Sequence, residues 1–181
     1  MTRRPLQLLT VCSYNRARSV MAELLLRREL AAAGVGAHVV GAGFAAGGQP
    51  PLPSTIAALH TLGFDARSMV STRVDAQMVA DADLVLTAER LHVVRLVEDD
   101  RSLLAKVFTL PEFAQLARAA GPRRGLQMAE WLAIVGAGRT HATFAATHPP
   151  EVVDPAGQPP ATFIATATLI QGWSRTVAEL L

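Results

Sequence analysis

The single cysteine of the chain lies in a short polar segment with the residue types of an oxyanion-binding loop. Cys12 and Arg18 are separated by five residues, and Ser19 follows directly. The five residues are Ser13, Tyr14, Asn15, Arg16 and Ala17. A loop of this length can curl around a tetrahedral anion so that its backbone N–H groups converge on the oxygens. The spacing therefore predicts a phosphate-binding loop with a nucleophilic thiolate at its base.

The surroundings of Cys12 favour this interpretation over a merely structural one. Free cysteines are often small buried apolar residues, and a cysteine six positions before an arginine is a weak motif by itself. Here an apolar run precedes Cys12 and a helix-forming run follows the loop. Arg18 could add a bidentate guanidinium to two oxygens of the anion, and the helix would direct its positive N-terminus to the same point.

Asp154 is the candidate general acid. A phosphomonoester needs a proton on its leaving oxygen, and that proton must come from elsewhere in the chain. Asp154 precedes Pro155 in a late loop, and a proline keeps the preceding residue out of the helical region. A turn with no chemical role would have the same Asp-Pro sequence, so the spacing alone leaves both interpretations open.

The segments around these residues predict an α/β domain. Apolar runs predict strands at 6–11, 38–43, 83–87 and 106–109. Helices are predicted at 20–33, 54–62, 75–82, 89–98, 111–120, 126–135 and 162–181, with Ser54 as an N-cap and residues 136–160 as irregular loop. Strands alternating with helices indicate a parallel sheet with helices on both faces, and we expect one domain over 1–181. Ligands bind such sheets at the carboxyl ends of the strands, which is where Cys12 falls.

Composition excludes several other classes of protein. The chain has 181 residues, a net charge of +2 and no long run of like charge, so we expect no nucleic-acid partner. No apolar stretch reaches the ~18 residues of a membrane span, and the first apolar run is too short for a secretory signal. We therefore expect a cytoplasmic protein without a membrane partner. The five histidines show no close metal-ligand spacing, so neither a metal nor another cofactor is predicted.

Several segments resemble one family in the order of the chain. The segment 11–19 resembles the phosphate-binding signature of low-molecular-weight protein tyrosine phosphatases, where a Cys, an Asn three residues later and Arg-Ser close the loop. Further segments similar to that family are Met21-Ala22-Glu23, Gly41-Ala42-Gly43, 83–87 with Glu89-Arg90, and the Asp154-Pro155 dipeptide. The resemblance implies a four-stranded parallel sheet of order 2-1-3-4, the phosphotyrosine phosphatase I-like fold. It also implies hydrolysis of a phosphorylated protein or a small phosphomonoester without a metal.

The resemblance assigns a role to each matching residue. Cys12 would attack phosphorus to form a phosphocysteine, and Arg18 would stabilise the equatorial oxygens. Asp154 would protonate the leaving group and then activate water. Asn15 would organise the loop, and Ser19 would stabilise the thiolate.

The loop also departs from the family pattern. Tyr14 replaces a common glycine, so we expect a cost there if the loop needs a positive φ. Arg16 stands where an apolar residue is commoner, Ala17 replaces a second cysteine, and Ala156 replaces an aromatic residue. Thiol-dependent arsenate reductases share the fold, and residues 15–19 are similar to their loops. The alternatives are therefore arsenate reduction with an external thiol, or a catalytically weak phosphate-binding module.

Overall fold

A four-stranded parallel sheet forms the centre of the molecule. The computed structural model describes residues 4–181. The strands are β1 (Leu6–Cys12), β2 (Ala37–Gly43), β3 (Leu84–Thr87) and β4 (Val107–Thr109). They pair in parallel in the order β2-β1-β3-β4, which confirms the predicted topology.

Helices follow the strands and cover the sheet. They are α1 (Arg18–Ala32), α2 (Pro53–Thr61), α3 (Ala76–Asp81), α4 (Arg90–Val97), α5 (Leu110–Ala120), α6 (Met128–Val135), α7 (His141–Ala146) and α8 (Pro160–Leu180), with a 3₁₀ turn at Arg101–Ala105. Capping residues in the local sequence explain where several of these helices begin. The Asp75 carboxylate accepts the Met78 N–H at the start of α3, and Thr109 and Glu112 form a capping box on α5.

The two faces of the sheet bury separate apolar clusters. One cluster joins the sheet to α1, α2, α5, α6 and α8 and includes Met21, Leu25, Phe113, Trp131 and Ile170. The other lies under α3, α4 and α7 and includes Leu9, Val11, Val85, Val93 and Phe144. Because β1 and β3 are buried on both faces, their carboxyl ends are fixed points from which loops project.

The structure corrects two sequence predictions and adds one element that was not predicted. Helix α2 begins at Pro53 after Leu52, without a side-chain cap, so Ser54 is not its N-cap. The proline at the first helical position supplies the backbone angle that starts the helix. The segment predicted as irregular contains α7, whose N-cap Thr140 accepts the Thr143 N–H, and the 3₁₀ turn after α4 was not predicted. Within residues 4–181, no helix is both long and apolar enough to cross a membrane.

Candidate active site

The carboxyl edge of the sheet brings the predicted site together. Cys12 is the last residue of β1 and pairs in register with Gly43, the last residue of β2. The loop 13–17 leads from Cys12 into α1, which begins at Arg18. Strand β1 therefore fixes the position of the Cys12 thiol, and helix α1 fixes the position of the Arg18 backbone.

The Cys12 thiol lies at the base of this loop and receives two directed contacts. Its Sγ is 3.1 Å from Ser19 Oγ and accepts the backbone N–H of Asn15 at 3.3 Å. The Asn15 side chain donates through Nδ2 to Ser19 Oγ at 2.8 Å. Since Ser19 Oγ accepts that hydrogen bond, its own proton is free to point at the sulfur. Sulfur is thus placed as an acceptor of hydrogen bonds, as a thiolate requires.

Asn15 shapes the loop through its backbone and its amide. It is buried and has φ 51°, in the left-handed region that Asn enters more readily than most residues. Its Oδ1 accepts the Thr72 N–H at 2.9 Å, which fixes the orientation of the amide. The positive φ considered for Tyr14 is wrong, because Asn15 takes it instead. Tyr14 therefore occupies its position without that cost.

Two glycines of β2 let the strand approach the loop. A Cβ on Gly43 would lie 2.6 Å from Asn15 N, and one on Gly41 would lie 2.9 Å from Asn15 Nδ2 and 2.5 Å from Glu23 Oε2. A Cβ on Gly43 would overlap the loop backbone, so glycine is needed there. A Cβ on Gly41 would instead force the Glu23 and Asn15 side chains to shift. Burial raises the pKa of the Glu23 carboxyl beside this contact.

Arg18 lies in the interior, where two carboxylates orient its guanidinium. Its side chain is 3% exposed. Nη2 donates to Asp154 Oδ2 at 2.9 Å, while Nη1 donates to Val152 O at 3.0 Å and also to the Glu89 carboxylate. The structure thus joins Arg18 to the predicted acid, 136 residues away in sequence. Glu89 was not among the predicted site residues, although it lies just after β3 and within a segment that resembles the family.

The loop that carries Asp154 is attached to the end of β3. Val152 is buried, and its N–H donates to Ala88 O at 2.8 Å. Asp154 Oδ1 accepts the Ala156 N–H at 3.1 Å, and the Asp154 side chain is 42% exposed. The carboxyl group therefore lies at the solvent boundary of the site, where it can reach both a bound molecule and water.

A buried histidine supports the loop from the side of α4. His92 Nε2 is 3.0 Å from Ser13 Oγ, and His92 Nδ1 accepts the Glu89 N–H at 3.1 Å. Because Nδ1 is an acceptor, the neutral ring carries its proton on Nε2 and donates to Ser13. Burial lowers the pKa of His92 to about 4; Glu89 opposes the shift, and Arg18 assists it. His92 is buried, and nothing in the sequence indicated its contact with a loop 79 residues earlier.

The remaining loop residues form the rim and the entry to α1. The Tyr14 side chain is exposed at the mouth, whereas Ala17 is buried at the start of the helix. Arg16 Nε donates to Pro50 O at 2.8 Å, and Arg16 O accepts the Leu52 N–H. The loop is therefore fixed to the segment between β2 and α2 as well as to its own helix.

Comparisons with known proteins agree with this arrangement. The family described as "Low molecular weight phosphotyrosine protein phosphatase" matches residues 7–122. The low molecular weight protein-tyrosine-phosphatase Wzb of Salmonella typhi is 31% identical over 106 residues, which are 56% of this chain and 66% of that protein. The chain thus spans just under two thirds of this relative.

Solved structures share the fold over nearly the whole chain. The low molecular weight protein tyrosine phosphatase of T. tengcongensis superposes with a TM-score of 0.74 at 25% identity, over 97% of this chain and 99% of the other. The YwlE arginine phosphatase of Geobacillus stearothermophilus superposes with a TM-score of 0.71 at 24% identity, over 97% and 92%. The loop geometry at Cys12 and the family match over residues 7–122 together lead to one assignment: this chain belongs to the low molecular weight phosphotyrosine protein phosphatase family.

Proposed function

We propose that this protein hydrolyses phosphomonoesters, above all phosphotyrosine in proteins, through a covalent phosphocysteine. One observation carries the proposal. The Cys12 sulfur lies at the base of a loop, with donors aimed at it, and Arg18 beside the loop bonds Asp154 at 2.9 Å. The Salmonella typhi relative is named a protein-tyrosine-phosphatase, which supports the same class of substrate.

In the first step the Cys12 thiolate attacks phosphorus. The S–P bond forms while the bond from phosphorus to the leaving oxygen breaks. Asp154 gives its proton to that oxygen, so the alcohol or phenol departs neutral. Arg18 and the backbone N–H groups of the loop stabilise the equatorial oxygens, where negative charge is held in the transition state.

In the second step water hydrolyses the phosphocysteine. Asp154, now ionised, takes a proton from the water as its oxygen bonds to phosphorus. The S–P bond breaks and returns the thiolate of Cys12, which Ser19 and the Asn15 N–H receive with hydrogen bonds. Inorganic phosphate leaves, and Asp154 again carries the proton for the next cycle.

Binding of substrate would rearrange the contacts of Arg18. Its Nη2 bonds the Asp154 carboxylate, whereas Nη1 bonds Glu89 and the Val152 carbonyl. We expect the phosphoryl oxygens to replace Asp154 on Nη2, because the two anions compete for one donor. The exchange would free Asp154 from the guanidinium, so that it can take a proton from solvent and give it to the leaving oxygen, while Glu89 keeps the guanidinium oriented.

The family match supports a phosphatase over the two alternatives, an arsenate reductase and a weak phosphate-binding module. We place the reaction in the cytoplasm, because a catalytic thiol must remain reduced and the cytoplasm keeps thiols reduced. Phosphorylated proteins and small phosphomonoesters are the expected substrates, and neither nucleic acid nor a membrane has a part in the reaction.

Hydrolysis of p-nitrophenyl phosphate by the purified chain tests the proposal. Cys12→Ser should abolish turnover yet still bind phosphate or vanadate, because the donors of the loop remain. Asp154→Ala should slow phenyl phosphate by ~100-fold or more, and Asp65→Ala, which removes an exposed carboxylate of another loop, should not. Wild-type rates in the Cys12 variant would overturn the mechanism. Arsenate-dependent oxidation of glutathione would identify the protein as an arsenate reductase. Binding of phosphate without turnover would identify it as a phosphate-binding module.

A further inference from the structure

Residues 136–150, which we call the strap, are anchored to helix α5 by a buried ion pair. The strap lies beyond the residues that match the family. Arg139 is 7% exposed and donates to the two carboxylate oxygens of Glu112 at 2.7 and 3.1 Å. Its guanidinium lies 4.2 Å from the ring centre of Phe108 and 4.8 Å from that of Phe144. Such a pair is costly to break, so this end of the strap is held firmly.

Arg90 joins the strap to the loop that carries the predicted acid. Its guanidinium lies 5.1 Å from the ring centre of Phe144, and Nη2 donates to the carbonyl oxygens of Phe144 and Ala145 at 3.4 and 3.3 Å. Its backbone N–H donates to Glu151 Oε1 at 2.7 Å. Arg90 is the first residue of α4, so the Glu151 carboxylate also lies at the positive end of that helix.

The strap is attached again just before Asp154. Thr109 Oγ1 donates to Pro150 O at 2.6 Å, and the Val152 N–H donates to Ala88 O at 2.8 Å. From residue 139 to residue 152 the chain is therefore tied in turn to α5, to α4, to the end of β4 and to the residue that follows β3. Asp154 follows two residues later, and its side chain accepts hydrogen bonds from Arg18 and from the Ala156 N–H. These anchors consequently decide where the Asp154 carboxyl can reach.

We infer that the strap positions Asp154 for proton transfer, and that Arg90 is the positioning residue that links the two. This inference rests on the proposed function. Arg90 acts through Asp154, because its side chain bonds the strap and its backbone bonds the acid loop. A general acid must lie within hydrogen-bond distance of the leaving oxygen, and a displacement of about 1 Å is costly.

Arg90→Met tests the inference because it keeps the backbone N–H and a long side chain but removes the guanidinium. Arg28→Met is a matched control: Arg28 lies 4.5 Å from the ring centre of Phe64 and donates to Leu62 O at 2.9 Å. In Arg90→Met we expect kcat/KM, which reports formation of the phosphocysteine, to fall about tenfold with phenyl phosphate, a poor leaving group, and less than about twofold with p-nitrophenyl phosphate. Arg28→Met should change kcat/KM with neither ester. In an Asp154→Ala background, Arg90→Met should have no further effect.

Equal losses with both esters, or an undiminished effect in the Asp154→Ala background, would overturn the inference. Glu151→Ala removes the exposed side chain that accepts the Arg90 N–H and should show the same selective loss in a chain that folds normally. Hydrogen exchange gives a readout that needs no activity: the Val152 amide should exchange faster in Arg90→Met than in Arg28→Met. Equal exchange rates of the Val152 amide in the two variants would refute the inference that the strap positions the Asp154 loop. If the wild-type chain hydrolysed neither ester, the proposed function would fail, and exchange would still decide the role of the strap.

Discussion

Acidification should destabilise the fold through His92, at a pH where most carboxylates are still ionised. The ring is 2% exposed, and burial, more than its charged neighbours, lowers its pKa from 6.5 to about 4. The unfolded chain therefore binds a proton more readily than the folded chain between these values. The stability that the neutral ring contributes is complete above pH 6.5 and is lost as the pH falls towards 4.

The size of the effect follows from the two pKa values. At pH 5 the unfolded histidine is almost fully protonated and the folded one is about one tenth protonated. The free energy of unfolding should be about 2 kcal/mol lower at pH 5 than at pH 7.5 from this residue alone. The cause is structural, because a charged ring would have to be solvated in a buried position between Ser13 and the Glu89 backbone.

Urea unfolding at pH 7.5 and pH 5.0 measures this difference. His92→Asn is the comparison, because an amide oxygen can accept the Glu89 N–H and does not titrate. The loss of stability on acidification should be about 2 kcal/mol larger in the wild type than in the variant, and other titrating groups cancel in the subtraction. An equal loss in both proteins would refute the reasoning from His92.

Two further substitutions test the packing around the thiol. Gly43→Ala would place a Cβ 2.6 Å from Asn15 N, so we expect kcat/KM to fall more than about tenfold, whereas Gly36→Ala, with nothing within 4 Å, should leave steady-state kinetics unchanged. Ser19→Ala removes the hydroxyl 3.1 Å from Cys12 Sγ, and a hydrogen bond to a charged group contributes about 1.5–3 kcal/mol. Single-turnover phosphorylation should slow by about 10–100-fold; an unchanged rate would show that this hydroxyl does not act on the thiolate.

The sequence was most informative where chemistry and local pattern coincided. The apolar run before Cys12 and the helix-forming run after the loop predicted a strand, a loop and a helix, and the structure has all three. The sheet order was implied by the resemblance, and the pairing of the strands confirms it. The convergence of Arg18 with Asp154 was expected from the resemblance, and the structure gives the contact between them.

The parts that escaped prediction depend on partners distant in sequence. Glu89 and His92 bear on the loop only because β3 lies beside β1, and no periodicity in their own segment indicates this. Thr72 fixes the Asn15 amide through a backbone N–H, which leaves no mark in the sequence. Helix α7 is six residues long in a Thr- and Ala-rich segment, and its Phe144 is buried by tertiary contacts. Short helices of this kind are stabilised by packing and not by local propensity.

The pairing of Arg18 with two carboxylates has a consequence for which anions the protein admits. An entering group must displace a carboxylate that already satisfies the guanidinium, so singly charged ions such as chloride gain little by exchanging with it. A phosphomonoester dianion would replace the attraction between Asp154 and Arg18, and it would also accept hydrogen bonds from the backbone N–H groups of the loop 13–17. Diesters carry one charge and a second substituent, so they should be excluded. We therefore expect the Asp154 carboxylate, as a counter-ion of Arg18, to favour dianionic ligands over singly charged ones.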